Sequence, residues 1–327
     1  MNIRREMRRC PVTGWKGIYC KKRNLIAVFD LRVKIYDAAD FQLLFETRQI
    51  KDPSGFCLDP AGEELWIFTT SSVLHRVDLK TLQSEKIAEL RKLSRSLMKC
   101  HFEIEGMVFI SREKLLIYGF GIGSQILLLY DTKNGTLRKL YHDESSVDTF
   151  YQAFPGKLCI VARWIGLQEG FPLLQRKTLD CRLEETENYL IQEITVNTLK
   201  KDVLQGVAYY AQESGYILCE TGSAFPEGYV AVNTEKKELL HGVILPDFGH
   251  EPEFIPTSQK NTLIAFDGMK VSIVQIGDGQ LRQRSIAEGE IEDCLFIGED
   301  LLLLGEEKSR LMKEKEWSLE GTAYAKC

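Results

Sequence analysis

The sequence predicts an all-β fold built from repeated four-stranded units, and three features of the chain support this prediction. Short stretches in which apolar and polar residues alternate run from about Trp15 to the C-terminus, and this period of two is the signal of a half-buried strand. Clusters of Gly, Asp, Asn and Lys separate the stretches and mark turns. The same succession of strands and turns returns roughly every 40 residues, which is typical of a repeat protein.

Each unit contains an apolar second strand, and in the clearest units a third strand that ends in Asp follows it. The clearest copies are Leu25 to Phe29 with Val33 to Asp37, Leu65 to Phe68 with Val73 to Asp78, and Leu115 to Tyr118 with Ile126 to Asp131. The second strands of the later units are Leu158 to Ala162, Tyr216 to Cys219, Leu263 to Phe266 and Leu301 to Leu304.

Seven units fit the chain, at residues 15–50, 53–90, 104–143, 147–187, 204–242, 253–286 and 291–320. Four-stranded units of about 40–45 residues are typical of a β-propeller. One unit cannot bury both faces of its sheet, so neighbouring units must pack face to face around an axis. We therefore predict a single seven-bladed β-propeller domain over residues 1–327, with four-stranded antiparallel blades.

Residues 53–67 carry a more specific pattern. This segment resembles the YVTN-type and WD-like propeller repeat, in which an inner strand, an Asp-x-x-Gly turn and a second strand precede a strand that ends in Asp. Here the turn is Asp59 to Gly62, and the strand endings at Asp78 and Asp131 match as well. In such a turn the Asp side chain accepts backbone hydrogen bonds and Gly adopts a positive φ. The resemblance concerns the fold, and propellers host many unrelated functions.

The charge distribution suggests how the ring closes. Residues 1–23 contain eight basic residues and one acid, whereas residues 288–327 contain eleven acids and five bases. We predict that residues 3–9 form a strand that closes the last blade near residues 309–315, where opposite charges would meet across the strand pair. The alternative is that Arg4 to Arg9 form a targeting or nucleic-acid-binding arm.

Composition excludes several classes of protein. The chain has 44% hydrophobic and 27% charged residues, as expected for a globular protein with a sizeable core. Its net charge of −5 gives no electrostatic footprint for nucleic acid. Its longest apolar runs are far shorter than the roughly 20 residues of a membrane span, and the N-terminus lacks the apolar core of a secretory signal. The nine cysteines form no Cys-x-x-Cys pair and lie partly in apolar runs, so we expect a reducing compartment.

No catalytic motif emerges from the sequence. The glycines at 119, 121 and 123 form a Gly-x-Gly-x-Gly pattern, but a dinucleotide-binding loop must open a helix. Here the strand pattern Ile126 to Tyr130 follows instead. The five histidines show no metal-like spacing, and the chain has no Gly-x-Ser-x-Gly elbow. We therefore predict no catalytic residue and no cofactor.

A polar residue, in most units acidic, precedes the apolar part of the inner strand. Inner strands line the centre of a propeller, so equivalent positions should meet at one mouth of the channel. These entry positions are Asp52, Glu105, Asp148, Gln205, Glu253 and Glu292. Carboxylates gathered there would hold a cation or attract a basic or hydroxyl-rich ligand. Alternatively, the entry positions are solvated strand starts that share no target.

Units 3, 4 and 5 have longer predicted connections between their second and third strands, at residues 119–125, 164–172 and 221–228. By propeller topology these connections open on the face of the channel mouth. They carry four aromatic residues, Phe120, Trp164, Phe171 and Phe225. Exposed aromatic residues on one face suggest an interaction surface, and the alternative is that they pack over the rim of their own blades.

These patterns favour a non-catalytic binding scaffold that presents a loop-rich face to a protein or a small ligand. The predicted binding residues are Glu105, Asp148, Gln205, Glu253, Glu292, Phe120, Trp164, Phe171 and Phe225. The alternative is a lactonase- or hydrolase-like enzyme that works at the acidic mouth with a divalent cation. We expect a cytoplasmic monomer that binds an unidentified partner on the mouth face of units 3 to 5, with neither nucleic acid nor a membrane as partner.

Overall fold

The computed structural model describes residues 8–92, 102–121, 124–142, 149–154, 157–164, 191–197, 204–211, 214–221, 228–233, 238–240, 252–277 and 280–318. In these residues the strands form seven sheets, numbered here by the order of their first strands. Six of the sheets have four strands with antiparallel pairing, which is the architecture of a propeller blade. The protein is an all-β propeller.

The first three sheets follow the chain in order. Sheet 1 consists of β2 (Lys16–Cys20), β3 (Leu25–Phe29), β4 (Val33–Asp37) and β5 (Leu43–Thr47). Sheet 2 consists of β6 (Pro53–Leu58), β7 (Glu64–Thr69), β8 (Val73–Asp78) and β9 (Gln83–Glu89). Sheet 3 consists of β10 (Phe102–Ser111), β11 (Lys114–Gly121), β12 (Ser124–Asp131) and β13 (Thr136–His142).

Two of the other four sheets depart from this simple order: sheet 4 has three strands, and sheet 7 takes its outermost strand from the N-terminal segment. Sheet 4 consists of β14 (Thr149–Phe154), β15 (Lys157–Trp164) and β16 (Ile191–Asn197), and sheet 5 of β17 (Leu204–Ala211), β18 (Tyr216–Thr221), β19 (Tyr229–Asn233) and β20 (Glu238–Leu239). Sheet 6 consists of β21 (Glu253–Pro256), β22 (Thr262–Phe266), β23 (Lys270–Gly277) and β24 (Gln280–Glu288). Sheet 7 consists of β25 (Asp293–Ile297), β26 (Asp300–Leu304), β27 (Ser309–Met312) and, outermost, β1 (Arg8–Cys10), and the helix α1 (Glu314–Trp317) follows β27.

The first strands of the sheets lie next to one another in a ring. Contacts join β2 to β6, β6 to β10, β10 to β14, β14 to β17 and β17 to β21, and β25 contacts β2. Because the same antiparallel connections repeat, all first strands begin at one end of the molecule. We call this end the mouth face, and in the six antiparallel sheets it also carries the turns between second and third strands. The opposite face carries the turns between first and second and between third and fourth strands.

Apolar second strands fill the spaces between neighbouring sheets. All five residues of β3 and of β22 are buried. Between sheets 2 and 3, the Trp66 ring meets the Phe109 ring edge to face, with centroids 5.5 Å apart. Burial on both faces of the sheet explains why these strands read as unbroken apolar runs in the sequence. Six cysteines in the described part of the chain are buried and form no disulfide.

The predicted turn chemistry is confirmed. Oδ1 of Asp59 accepts hydrogen bonds from the backbone N–H groups of Glu63 and Glu64, while Gly62 adopts a φ of +63°. In the third-to-fourth-strand turn of sheet 3, Oδ1 of Asp131 accepts from two backbone N–H groups and Gly135 adopts a φ of +64°. The Asp side chains therefore stabilise these turns, because their carboxylate oxygens accept hydrogen bonds from backbone N–H groups in place of backbone carbonyls.

Sheet 4 departs from the prediction of a four-stranded antiparallel blade at residues 147–187. Its third strand, β16, lies beyond that boundary and pairs with β15 in parallel, with Leu158 opposite Ile191. Parallel neighbours need a connection of a dozen or more residues, and 26 residues (165–190) separate these strands in the sequence, which a local alternation pattern does not reveal. The side chain of Gln152 in β14 ties this sheet to sheet 5: it donates to the Tyr210 carbonyl at 3.0 Å and accepts from the Tyr210 N–H at 2.8 Å.

The N-terminal segment supplies the outer strand of sheet 7, as predicted. Within β1, Arg8 lies opposite Leu311 and Cys10 lies opposite Ser309. The expected meeting of opposite charges does not occur in this pair, because Arg9 lies opposite Arg310. Apolar packing accounts for the closure instead, since Cys10 belongs to the buried cluster between sheets 7 and 1 and the partly buried Leu311 packs against it. Residues 3–7 of the predicted closing strand lie outside the described residues.

None of the helical segments that the structure describes has the length and apolar character needed to cross a bilayer.

Candidate functional site

Three charged residues meet on the mouth face where sheets 6, 7 and 1 adjoin. Lys16, Glu253 and Asp293 are the first residues of β2, β21 and β25. Nζ of Lys16 donates to Oε1 and Oε2 of Glu253 at 2.7 and 2.8 Å, although 237 positions of sequence separate the two residues. We call these three residues the mouth cluster.

Asp293 is the buried member of the mouth cluster, with 6% of its surface exposed. Its Oδ2 accepts a hydrogen bond from the backbone N–H of Gly17 at 2.7 Å, and its Oδ1 accepts one from the N–H of Cys294 at 2.9 Å. Burial raises the pKa of Asp293 to about 6, even though the charge of Lys16 and the two hydrogen bonds favour the ionised form. At neutral pH the carboxylate is therefore charged in surroundings that disfavour its charge.

The pKa of Lys16 likewise depends on the balance between burial and neighbouring charges. Burial alone would lower the pKa of Lys16, but the carboxylates of Asp293 and Glu253 outweigh this effect and raise it. The amine is therefore protonated at neutral pH and offsets part of the negative charge beside it. The side chains of the Lys16–Glu253 pair are 42% and 59% exposed, so this ion pair contributes at most about 1 kcal/mol to stability.

Gly17 allows sheet 1 to approach sheet 7 closely enough for the hydrogen bond to Asp293. A Cβ atom at Gly17 would lie 2.7 Å from Cδ1 of Leu304 and 2.9 Å from Cδ2 of Leu295. Atoms at these distances overlap, so a side chain here would push the two sheets apart or displace both leucines. The glycine is thus part of the geometry of the mouth cluster.

The mouth cluster offers no reactive nucleophile. Burial raises the pKa of the adjacent Cys294 thiol well above its ordinary value, and the charge of Asp293 adds to this shift, so the thiol stays protonated and unreactive. Lys16 is protonated, and both oxygens of Asp293 already accept hydrogen bonds. Within the described ranges, no group of three or more His, Cys, Asp or Glu residues is arranged to hold a metal ion.

Three of the predicted entry positions, Asp52, Glu105 and Glu292, carry exposed carboxylates outside the mouth cluster. Glu105 lies within β10 and is exposed, and its charge adds to the effect of burial in raising the pKa of Tyr118 to about 12. Glu292 is also exposed, and the buried carboxylate is that of the next residue, Asp293. Because side chains alternate between the two faces of a strand, a shift of one residue exchanges the buried position for the exposed one.

The predicted long loop at residues 119–125 is wrong. Phe120 lies in β11 opposite Gln125 of β12, and Gly121 lies opposite Ser124, so the paired strands occupy most of the predicted loop. Glycines at 119 and 121 suggested a loop, but the pairing with β12 keeps both in the sheet. Trp164 is the last residue of β15, opposite Asn197.

The remaining predicted binding residues are Gln205, Asp148, Phe171 and Phe225. Gln205 lies in β17, near the start of that strand. Asp148, Phe171 and Phe225 lie outside the described residues. Of the predicted carboxylates that the structure describes, Glu253 is joined to the mouth cluster by direct contacts.

The prediction missed Lys16 and Asp293, and the sequence does contain a signal for each. Lys16 precedes Gly17 at the start of an inner strand, as Glu105 precedes Gly106, so aligning the units on this glycine would have included the lysine. Asp293 pairs with the last residue of the run Leu301 to Leu304, just as Glu253 pairs with the last residue of Leu263 to Phe266. Aligning the units on their second strands would have selected Asp293.

Solved structures of other proteins share this architecture. The chain is similar to a chain of a mitotic checkpoint complex, with 12% identity, a TM-score of 0.53 and coverage of 96% of this chain and 94% of that chain. It is also similar to the β-propeller domain of Cps50 (Swd1) from Myceliophteria thermophila, with 10% identity, a TM-score of 0.55 and coverage of 94% and 99%. An oligogalacturonate lyase in complex with manganese matches with 11% identity, a TM-score of 0.58 and coverage of 94% and 90%.

The chain has the β-propeller fold. Identities this low show the fold alone, and one fold hosts many functions. No protein-family model matches the sequence, and no curated protein matches it in sequence.

Proposed function

We propose that this protein is a non-catalytic binding scaffold that holds a protein partner on its mouth face. The observation that carries this proposal is the internal pairing of the mouth cluster. Lys16 is engaged by Glu253, and Asp293 accepts hydrogen bonds from two backbone N–H groups. These charges support the joining of sheets rather than the activation of a substrate, while loops carried on a scaffold of this kind are suited to recognition.

Exposed apolar side chains support the choice of the mouth face. Leu31, in the turn between β3 and β4, is 66% exposed, and Met269, in the turn between β22 and β23, is 54% exposed. Both turns join a second to a third strand and therefore belong to this face. Met and large apolar side chains at such tips are suitable anchors for a protein interface.

The proposal also covers the blade count, the repeat type, the extent of the partner surface and the cellular location. Sheet 4 serves as the seventh blade, because β14 and β15 contact sheets 3 and 5 and continue the ring. The units are of the YVTN-type or WD-like kind, as the Asp59 to Gly62 turn favours. The partner surface extends to Trp164, Phe171 and Phe225 in units 4 and 5. The protein acts as a cytoplasmic monomer.

A matched pair of variants tests the scaffold proposal. The double variant Leu31→Glu, Met269→Glu places charges at the two exposed tips of the mouth face, and Leu43→Glu places one on the exposed outer strand β5, where the leucine is 45% exposed. Proteins captured with the wild-type chain and measured by quantitative mass spectrometry should be lost with the double variant and retained with Leu43→Glu. Equal capture by all three chains, each with a wild-type melting temperature, would contradict the proposal.

The alternative is a divalent-metal-dependent enzyme at the mouth, and one observation favours it. Two carboxylates, Glu253 and Asp293, do meet there, and the oligogalacturonate lyase that shares this fold was solved with manganese. Thermal melting with Mn²⁺, Ca²⁺ or Mg²⁺ tests this alternative, because a ligand at 100 times its dissociation constant stabilises a fold by roughly 2.7 kcal/mol. Stabilisation of the wild type that disappears in Glu253→Gln would favour the enzyme over the scaffold. Equal melting with and without each ion would reject it.

A further inference from the structure

A cavity of about 360 Å³ opens on the face opposite the mouth, at the seam between sheets 7 and 1. This volume lies near the lower end of the range for small-molecule pockets, about 300–1,000 Å³. One wall is the turn between β4 and β5, with Asp40 and Phe41. The other wall belongs to sheet 7 and consists of Ile297, Asp300, Leu311 and Lys313, which directly follows β27. The cavity is separate from the mouth cluster, which lies at the other end of the inner strands.

The apolar part of the cavity is continuous with the core of the seam. Phe41, Ile297 and Leu311 pack against the buried cluster between sheets 7 and 1. Phe41 adopts a φ of +62°, a region that is unfavourable for a bulky residue. Leu82 occupies the same turn position in sheet 2, with a φ of +57° and an equivalent backbone hydrogen bond. The turn conformation is therefore common to both sheets, whereas Phe41 lines the cavity.

Among the described residues that line the cavity, the charged side chains have an excess of one negative charge. Nζ of Lys313 lies 2.5 Å from Oδ2 of Asp300, so these two charges neutralise each other. Asp40 is exposed, and its Oδ1 accepts a hydrogen bond from the backbone N–H of Gln42 at 2.9 Å. Its carboxylate has accepting capacity left for a ligand.

We propose that this cavity binds a small organic cation, with one ammonium or guanidinium group on a short apolar body. The apolar body fits the wall of Phe41, Ile297 and Leu311, and the positive group pairs with Asp40. The Phe41 ring can add a cation–π interaction. An organic anion of the same size would instead be repelled by the uncompensated charge of Asp40. A lysine or arginine side chain of another protein presents the same chemistry, so the experiment must separate the two sources.

Calorimetric titration of the full chain at neutral pH and low salt tests the proposal. The probes are phenethylamine, its anionic counterpart phenylacetate, and N-acetyl-lysine amide. We expect phenethylamine to bind at least about tenfold more tightly than phenylacetate, a difference of about 1.4 kcal/mol. Phe41→Ala should weaken the binding of phenethylamine about tenfold, whereas Leu82→Ala, which changes the same turn position away from the cavity, should leave it unchanged.

Asp40→Asn provides the second variant if Phe41→Ala proves to be poorly folded. The amide oxygen of Asn can still accept the hydrogen bond from Gln42 N–H, so the turn is kept while the charge is removed. This variant should weaken the binding of phenethylamine and abolish the preference over phenylacetate. Binding of phenethylamine alone assigns a free small cation, and equally strong binding of N-acetyl-lysine amide assigns a side chain of a partner. No binding of either cation, or binding unaffected by Asp40→Asn, would overturn the proposal.

Discussion

Replacing Asp293 by Asn tests whether burial of this carboxylate destabilises the fold at neutral pH. Asp293 is 6% exposed, and its pKa is raised from 3.8 to about 6, chiefly by burial. A group whose pKa is higher in the folded state binds its proton more tightly there, so the folded state gains stability as the pH falls. This stability is fully present below about pH 4 and is lost as the pH rises through about 6.

The size of the effect follows from the shift in pKa. A difference of about two pH units corresponds to about 3 kcal/mol, at roughly 1.4 kcal/mol for each unit. Asn is neutral at every pH and lacks this dependence. It has one acceptor oxygen for the two N–H groups of Gly17 and Cys294, so it also carries a constant loss of about 1–3 kcal/mol. The change with pH therefore isolates the charge from the hydrogen bonds.

Urea unfolding of both chains at pH 4 and at pH 7.5 measures this change, since the free energy of unfolding extrapolates linearly to water. We expect the free energy of unfolding of Asp293→Asn, relative to the wild type, to rise by about 2–3 kcal/mol from pH 4 to pH 7.5. Glu292→Gln is the matched control, because it removes the adjacent, exposed carboxylate, and its free energy of unfolding at pH 7.5 should lie within about 0.5 kcal/mol of the wild-type value. A difference between Asp293→Asn and the wild type that is the same at both pH values would refute the reasoning.

Three further substitutions test individual contacts. Gly17→Ala should destabilise the fold by about 1–3 kcal/mol in urea unfolding because its Cβ would overlap leucines of sheet 7, whereas Gly277→Ala, which meets nothing within 4 Å, should be neutral. Gln152→Ala removes both hydrogen bonds to the Tyr210 backbone and should cost about 1–3 kcal/mol; an unchanged melting temperature would mean that sheets 4 and 5 do not depend on this contact. Asp59→Ala removes the acceptor of three backbone N–H groups and should cost about 1–3 kcal/mol, while Asp59→Asn, which keeps one acceptor, should cost less.

The candidate site shows which functional residues the sequence alone predicts and which it does not. Glu253 was predicted at the mouth because repeated units place their inner-strand starts together, and the structure joins it to Lys16. Asp293 was missed because an alignment one residue out of register selected Glu292 instead. A one-residue shift leaves composition and charge almost unchanged but exchanges the buried and exposed faces of the strand. Register across sheets depends on bulges and close approaches such as that at Gly17, which no single unit reveals.

The sequence by itself determined the all-β fold, the apolar second strands, the Asp–Gly turns and the closing strand at the N-terminus, because each depends on residues close together in the chain or on a pattern that repeats along it. Only the tertiary structure decided the parallel pairing of β16 with β15, the continuation of β11 through Phe120, the mouth cluster, and the cavity beside Phe41. These features join residues that are distant in the chain or depend on the exact register between strands. Their energies arise from burial and contact between sheets, which local alternation does not encode.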